Sequence, residues 1–215
     1  IALLPYATLP FKVVVTPTFL DIAMAAFFFL YVGEWMTGYR RRLTVTPIHA
    51  FIVLFMLLSL FSFVAGLRYS GPTSTLLRQF AEFMLSMTFA LVLVDVLTEF
   101  ADLRRVVLIL MIAGSVTALI GIAFWLLPDV TAEAVLRRLA IIGYPEANII
   151  QYVEQNPELP ERAIGTSANP NSLGGFLVMI GALVAPQALA EHRITPRRWQ
   201  ALAMLGALVV CLVLT

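Results

Sequence analysis

The stretch that decides the fold is LTVTPIHAFIVLFMLLSLFSFVAGL, residues 43–67, which holds 25 consecutive residues without Lys, Arg, Asp or Glu. A helix rises about 1.5 Å per residue, so about 20 apolar residues cross the hydrocarbon core of a bilayer. The run contains Thr46-Pro47, a cap residue followed by proline, which is typical of a helix start. It therefore predicts a membrane-spanning helix over about residues 46–67.

The same length criterion finds five further segments along the chain. The six predicted spans cover about residues 17–35, 46–67, 72–97, 105–127, 169–190 and 199–215. Between the fourth and fifth spans lies a long loop, about 128–168, in which the apolar pattern favours short helices over 131–142 and 148–154. We expect an all-α fold, a polytopic transmembrane helical bundle with a long external loop that contains short helices.

The composition agrees with this class of protein. Of the 215 residues, 60% are hydrophobic and 13% are charged, against about 25% charged in a typical soluble domain. The net charge of +1 gives no bulk attraction for nucleic acid, so we expect membrane lipids but no nucleic acid as partners. The one cysteine, Cys211, excludes a disulfide within these residues. We expect residues 1–215 to form a single membrane domain that is an incomplete part of a longer protein.

The distribution of basic residues predicts the orientation of the spans. If the loop after the first span faces the cytoplasm, that side receives eight arginines in short loops, and the opposite side receives only Lys12 and Arg68 in such loops. The loop over about 128–168 then faces away from the cytoplasm. Asp95 falls near the cytoplasmic end of the third span, where we expect it to lie in solvent.

The segment RAIGTSANPNSLGGFL, residues 162–177, joins this loop to the fifth span. Asn169 is a favoured N-cap, and Pro170 fits the first helical position. We expect this helix start to present unpaired backbone N–H groups and a partial positive charge, with Arg162 seven residues before the cap. Together they predict a phosphate-sized anion site at the bilayer surface. Taken singly, Asn169-Pro170 also fits an ordinary helix start, and Arg162 a snorkelling or headgroup-binding arginine.

Three ionisable residues lie inside the third predicted span: Asp95 near its end, and the pair Arg78 and Glu82. Arg78 and Glu82 are four residues apart, so they share one helix face and can pair. A charged residue within a span favours a functional role, here in binding a donor substrate, and the alternative is a structural pair that faces the bundle. The chain has no His or Cys cluster with metal-ligand spacing and no nucleotide-binding fingerprint, so we expect neither a metal nor a cofactor.

A long external loop, then Arg-x-x-Gly-Thr-x-x-Asn-Pro-Asn-x-Leu, then a membrane helix, resembles the superfamily of O-antigen ligases and Wzy-type O-antigen polymerases. Here the pattern reads Arg162, Gly165, Thr166, Asn169, Pro170, Asn171 and Leu173. The resemblance implies a metal-independent glycosyltransferase of the GT-C type. It would be a multi-pass protein of the bacterial inner membrane with its active face in the periplasm.

The resemblance also implies roles for individual residues. Arg162 would be the catalytic residue that binds a diphosphate. The expected substrate-binding residues are Gly165, Thr166, Asn169, Asn171, Arg78 and Glu82. The implied donor is a glycan linked to undecaprenyl diphosphate, and the acceptor is a hydroxyl of a growing glycan, a lipid A core or a protein.

Two other functions fit the same residues. One is a non-enzymatic membrane transporter or scaffold that binds an anionic lipid or solute, and the other is an inactive, regulatory relative. The family's remaining site residues, an arginine in a Ser-Arg motif and a histidine in a second external loop, would follow Thr215. Their presence there would favour the enzyme.

Overall fold

The computed structural model describes residues 18–39, 45–69, 71–142, 144, 150–156, 158–167, 169–191 and 194–215. Their secondary structure is almost entirely helical, which confirms the all-α class. The α-helices in the described part are α1 Phe19–Met36, α2 Pro47–Gly66, α3 Ser74–Val96, α4 Phe100–Leu126, α5 Asp129–Arg138, α6 Pro170–Leu189 and α7 Arg198–Leu214. A short antiparallel ribbon pairs β1 Gln151–Tyr152 with β2 Glu161–Arg162.

Each predicted span corresponds to one helix, with both ends within two residues of the prediction in every helix but α4. Helix α4 begins at Phe100 instead of 105, because Asp102 in its first turn is favoured by the helix dipole and does not end the helix. Five of the described helices, α1, α2, α3, α4 and α6, are long and apolar enough to cross a membrane. Helix α7 is a shorter apolar helix of 17 residues that lies at the end of the sequence.

The chain divides into two compact units, Ile1–Ala23 with Arg104–Thr215, and Met24–Leu103. In the first of these, α4, α6 and α7 share one core. Leu173, Leu177 and Ile180 recur every three or four residues on α6, and all are at most 1% exposed. Glycines let α4 approach closely, since a Cβ added at Gly114 would lie 2.6 Å from Ile180 Cγ2. The organisation as a single membrane domain stays a prediction.

The Met24–Leu103 unit is held together by aromatic contacts between its helices. The rings of Phe63 on α2 and Phe80 on α3 stack with centroids 3.9 Å apart. On the other side of α3, the ring centroids of Phe27 and Phe89 are 5.1 Å apart, which joins α1 to α3.

The prediction that Asp95 lies in solvent is wrong. Asp95 is 1% exposed, and its Oδ2 accepts a hydrogen bond of 2.9 Å from the Tyr31 hydroxyl of α1. Its position one residue before the end of α3 suggested exposure, but the side chain lies on the face that packs against α1. A buried carboxylate requires such polar partners, and Tyr31 supplies one of them.

The described residues of the long loop include α5 and the β-ribbon. The helix expected over 131–142 is observed as α5 followed by a 3₁₀ turn, Leu139–Ile142. Leu136 and Ile164 form a buried contact beneath it. The prediction of a second helix over 148–154 is wrong at Gln151–Tyr152, because these residues pair with β2 instead. Among the described residues of this range, helical structure begins at Val153, in the 3₁₀ turn Val153–Gln155. Residues 148 and 149 lie outside the described part.

Candidate functional site

Asn169 caps helix α6 in the way that its residue type predicts. Its backbone is extended, and its Oδ1 accepts hydrogen bonds from the backbone N–H groups of Asn171, at 2.9 Å, and Ser172, at 3.2 Å. Pro170 has no N–H, and the N–H of Leu173 donates to the Asn169 carbonyl at 3.1 Å. The prediction of unpaired N–H groups at this helix start is therefore wrong, since the capping side chain satisfies them. The partial positive charge of the helix end remains.

Arg162 lies at the same helix start. Its Nη2 donates to Asn171 Oδ1 at 3.0 Å, and its Nε donates to the main-chain carbonyl of Thr215. The amide oxygen of Asn171 is a neutral acceptor, and within the described ranges Arg162 forms no ion pair with an Asp or Glu side chain. These bonds use two of the five N–H donors of a guanidinium. The structure thus brings together Arg162, Asn169 and Asn171, three of the residues that the sequence assigned to a site.

The main chain beside Arg162 is fixed to α7. The N–H of Ala163 donates to the carbonyl of Leu214 at 2.7 Å, and Ala163 is 1% exposed. Strand β2 therefore lies against the end of α7, while the guanidinium of Arg162 reaches the start of α6. Helices α6 and α7 pack against each other, so these two helix ends are neighbours.

Gly165 and Thr166 lie behind this arrangement. They belong to a buried 3₁₀ turn, Gly165–Ser167, in which Gly165 has a φ of +51°. A Cβ at Gly165 would lie 3.2 Å from the Cα of Gly121 on α4, so the turn requires glycine both for its φ and for this close approach of two backbones. Direct contact of Gly165 with a substrate stays a prediction.

Thr166 is 7% exposed, and its carbonyl accepts a hydrogen bond of 2.8 Å from the Tyr144 hydroxyl. Its own hydroxyl oxygen is buried and has no hydrogen-bond partner in the described part of the chain. The turn is therefore buried in the fold, and a contact between Thr166 and a substrate stays a prediction.

The sequence analysis missed the residues that hold the β-ribbon. The Trp125 indole at the end of α4 donates to the Glu161 carbonyl at 3.1 Å, and the Tyr152 hydroxyl donates to Asp129 Oδ2 at 3.0 Å. These partners are separated by 23 to 36 residues along the chain, and no spacing rule connects them.

Two acidic groups of this cluster have shifted pKa values. Burial raises the pKa of the Glu161 carboxyl, and the charge of Asp129 and the hydrogen bond with it raise it further. The hydrogen bond to Asp129, followed by burial, raises the pKa of the Tyr152 phenol.

Arg78 and Glu82 belong to the Met24–Leu103 unit. Their predicted pairing is confirmed: Arg78 Nε lies 2.7 Å from Glu82 Oε1, and the side chains are 38% and 44% exposed. Arg78 is about 6 Å along α3 from the first residue of that helix. A role of this pair in binding a donor stays a prediction. In the described ranges no group of three His, Cys, Asp or Glu side chains is arranged to hold a metal ion.

Fold and site together define an all-α chain with apolar helices long enough to cross a membrane and an arginine at the start of one of them. No family model, curated protein or solved structure matches the chain.

Proposed function

We propose that this protein transfers or polymerises a glycan linked to undecaprenyl diphosphate onto a hydroxyl acceptor at the periplasmic face of the bacterial inner membrane. In this proposal it acts as a metal-independent glycosyltransferase similar to O-antigen ligases and polymerases. Arg162 binds the diphosphate of the donor. The sequence pattern from Arg162 to Leu173 suggests the family, and the contacts of Arg162 support the role of that residue.

One observation carries the proposal: the guanidinium of Arg162 lies 3.0 Å from Asn171 Oδ1 at the start of α6, and among the described residues it has no carboxylate partner. An arginine without an Asp or Glu partner is available to pair with an anionic ligand. It adds to the partial positive charge at the helix end. Three of its N–H donors are not used by described residues, which is enough for a bidentate contact with a phosphate group.

The chemistry of transfer matches such a group. When an acceptor hydroxyl attacks the anomeric carbon, the bond to the diphosphate breaks, and negative charge grows on the leaving oxygen. A fixed guanidinium that meets this charge lowers the barrier, and its planar fork fits phosphate oxygens. Attack from the face opposite the diphosphate would invert the anomeric centre without a protein nucleophile.

Contacts within the Arg104–Thr215 unit support the proposed side of the membrane. Trp125 at the end of α4 contacts Glu161, next to Arg162, whereas Arg104 at the start of α4 donates to the carbonyl of Ile194 at 3.3 Å. Arg162 and Arg104 are therefore at opposite ends of this helix group. Since short loops rich in arginine face the cytoplasm, the end with Arg104, Arg105, Arg197 and Arg198 is the cytoplasmic one in our proposal.

The bonds of Arg162 to protein atoms also suit a second function, a transporter or scaffold that binds an anionic lipid without reacting with it. Such a protein would need Arg162 for binding and would transfer no glycan. The two functions therefore differ in one measurable step, the release of undecaprenyl diphosphate from the donor.

The test uses the full-length protein in proteoliposomes with an undecaprenyl-diphosphate-linked glycan from the same organism. Arg162→Ala should lower transfer by about 100-fold, the cost of removing one donor to a developing anion. Arg162→Lys should restore little of it, because an ammonium cannot form the fork. Arg138→Ala, which removes an exposed arginine of α5, is the matched control and should leave transfer unchanged.

Three results decide between the candidates. Transfer that depends on Arg162 supports the enzyme. Donor binding that depends on Arg162, without transfer by the wild type, supports the transporter or scaffold. Equal transfer by the wild type and Arg162→Ala removes Arg162 from the site and overturns the proposal.

A further inference from the structure

Helix α4 contacts the segment that carries Arg162 at two points. One residue before Arg162, the carbonyl of Glu161 accepts a hydrogen bond of 3.1 Å from the Trp125 indole. Three residues after Arg162, a Cβ added to Gly165 would lie 3.2 Å from the Cα of Gly121. Gly121 and Trp125 are four residues apart, so they lie on the same face of α4. One face of this helix therefore contacts the main chain on both sides of Arg162.

Helix α7 supplies a third contact to the same segment. The N–H of Ala163 donates to the carbonyl of Leu214 at 2.7 Å. Close packing fixes α7 against α4, since Cys211 is fully buried and a Cβ added to Gly121 would lie 2.9 Å from its Sγ. The backbone on either side of the arginine is thus attached to two packed helices, while the guanidinium reaches Asn171 at the start of α6.

The ribbon that contains Arg162 is too short to hold the arginine by itself. Strands β1 and β2 pair over two residues each, and an isolated two-stranded ribbon is at best marginally stable in water. Contacts from outside the ribbon must therefore fix it. The contact of Gly165 with Gly121 limits how closely the chain approaches α4, whereas the indole bond of Trp125 is directional and acts next to Arg162.

We infer that Trp125 is a positioning residue for Arg162: its indole N–H holds the Glu161 carbonyl, so that the guanidinium stays at the start of α6. Gly121 supports the same segment from its other side through Gly165. Trp125 acts on an anionic ligand through Arg162 and not by touching the ligand. The consequence for glycan transfer rests on the proposed function, but the positioning itself does not.

The first measurement follows amide hydrogen exchange at Ala163 in the full-length protein in detergent. Trp125→Phe keeps an aromatic ring and removes the N–H donor, so exchange at Ala163 should become about 2- to 10-fold faster, the effect of one hydrogen bond. Trp199→Phe is the matched control: Trp199, at the start of α7, is 60% exposed, and its replacement should leave this exchange unchanged.

Exchange at Leu177, in the core of α6, is the internal reference, because a general loss of stability would raise it as well. Faster exchange at Ala163 with an unchanged rate at Leu177 supports the positioning role. An unchanged rate at Ala163 in Trp125→Phe, or an equal rise at Ala163 and Leu177, overturns the inference.

The second measurement is a double-mutant cycle on the turnover number of glycan transfer. Trp125→Phe should lower it about 2- to 10-fold in the wild-type background, because Arg162 meets the leaving diphosphate less often. In an Arg162→Ala background the same change should have no further effect, since no guanidinium remains to be positioned. Losses that multiply in the double variant would show that Trp125 acts independently of Arg162, and they overturn the inference.

These results separate the inference from the proposed function. If exchange at Ala163 responds to Trp125→Phe as expected but the wild type transfers no glycan, the proposed function fails and the positioning role stands. If transfer depends on Arg162 but Trp125→Phe behaves like Trp199→Phe in both exchange and transfer, the positioning role fails and the proposed function stands.

Discussion

Helices α2 and α6 are both 20 residues long, but they differ in how they pack. Helix α2 is the more apolar of the two, yet its one buried residue is the polar His49. Helix α6 buries six residues, and glycines of α4 let its apolar face come close. An apolar sequence therefore indicates that a helix can cross a membrane. How deeply its side chains are buried depends on how closely the neighbouring helix approaches, which small residues permit.

The largest expected difference between the two helices is in the cost of truncating a leucine. Leu177 on α6 is 1% exposed, and Leu57 on α2 is 58% exposed. Leu177→Ala should lower the free energy of unfolding by about 2–5 kcal/mol, because it leaves a cavity in a packed core. Leu57→Ala leaves no cavity and should cost less than about 1 kcal/mol. Denaturant unfolding in detergent measures both, and equal losses would contradict the contrast in packing.

A smaller effect is expected from adding a methyl group at a glycine. Gly114→Ala on α4 would bring its Cβ within 2.6 Å of Ile180, whereas a Cβ at Gly33 on α1 would meet nothing within 4 Å. Overpacking of this kind costs about 1–3 kcal/mol. Gly33→Ala should be neutral or slightly stabilising, since alanine favours helices. Thermal unfolding compares the two. Gly114→Ala should cost less in an Ile180→Ala background, which removes the two Cγ atoms nearest to the added Cβ, if the clash is the cause.

The smallest expected effect concerns the helix caps. Asn169 caps α6, and Thr73 caps α3 through a hydrogen bond of 3.2 Å from the Leu76 N–H. Alanine at either position should cost about 1 kcal/mol. Only Asn169→Ala frees two N–H groups beside Arg162, so inorganic pyrophosphate should raise its unfolding temperature more than that of Thr73→Ala. An equal response of the two variants to pyrophosphate would show that no anion replaces the cap.

The helices could be predicted from the sequence because a bilayer requires about 20 apolar residues, and such runs are visible without any partner. The cap formed by Asn169-Pro170 was predictable for a similar reason, since it depends on neighbouring residues only. The start of α4 was missed because charges near a helix N-terminus are tolerated. All these features are local in the chain.

The features that could not be predicted depend on residues distant in sequence. The burial of Asp95 requires Tyr31, which lies 64 residues away, and the hold on Glu161 requires Trp125, 36 residues away. The motif predicted that Arg162 and the start of α6 form a site, and the contact with Asn171 agrees with their proximity. It did not predict that the Asn169 side chain would satisfy the N–H groups of that helix start.

Under the proposed function, Arg162, which has no Asp or Glu partner among the described residues, receives a diphosphate lipid. The most direct test measures binding of undecaprenyl diphosphate to the full-length protein, its Arg162→Ala variant and the Arg138→Ala control. Losing a charged hydrogen bond of about 1.5–3 kcal/mol should weaken binding by about 10- to 100-fold in Arg162→Ala and leave Arg138→Ala at the wild-type affinity. Equal weakening in both variants, or none in either, would contradict the account.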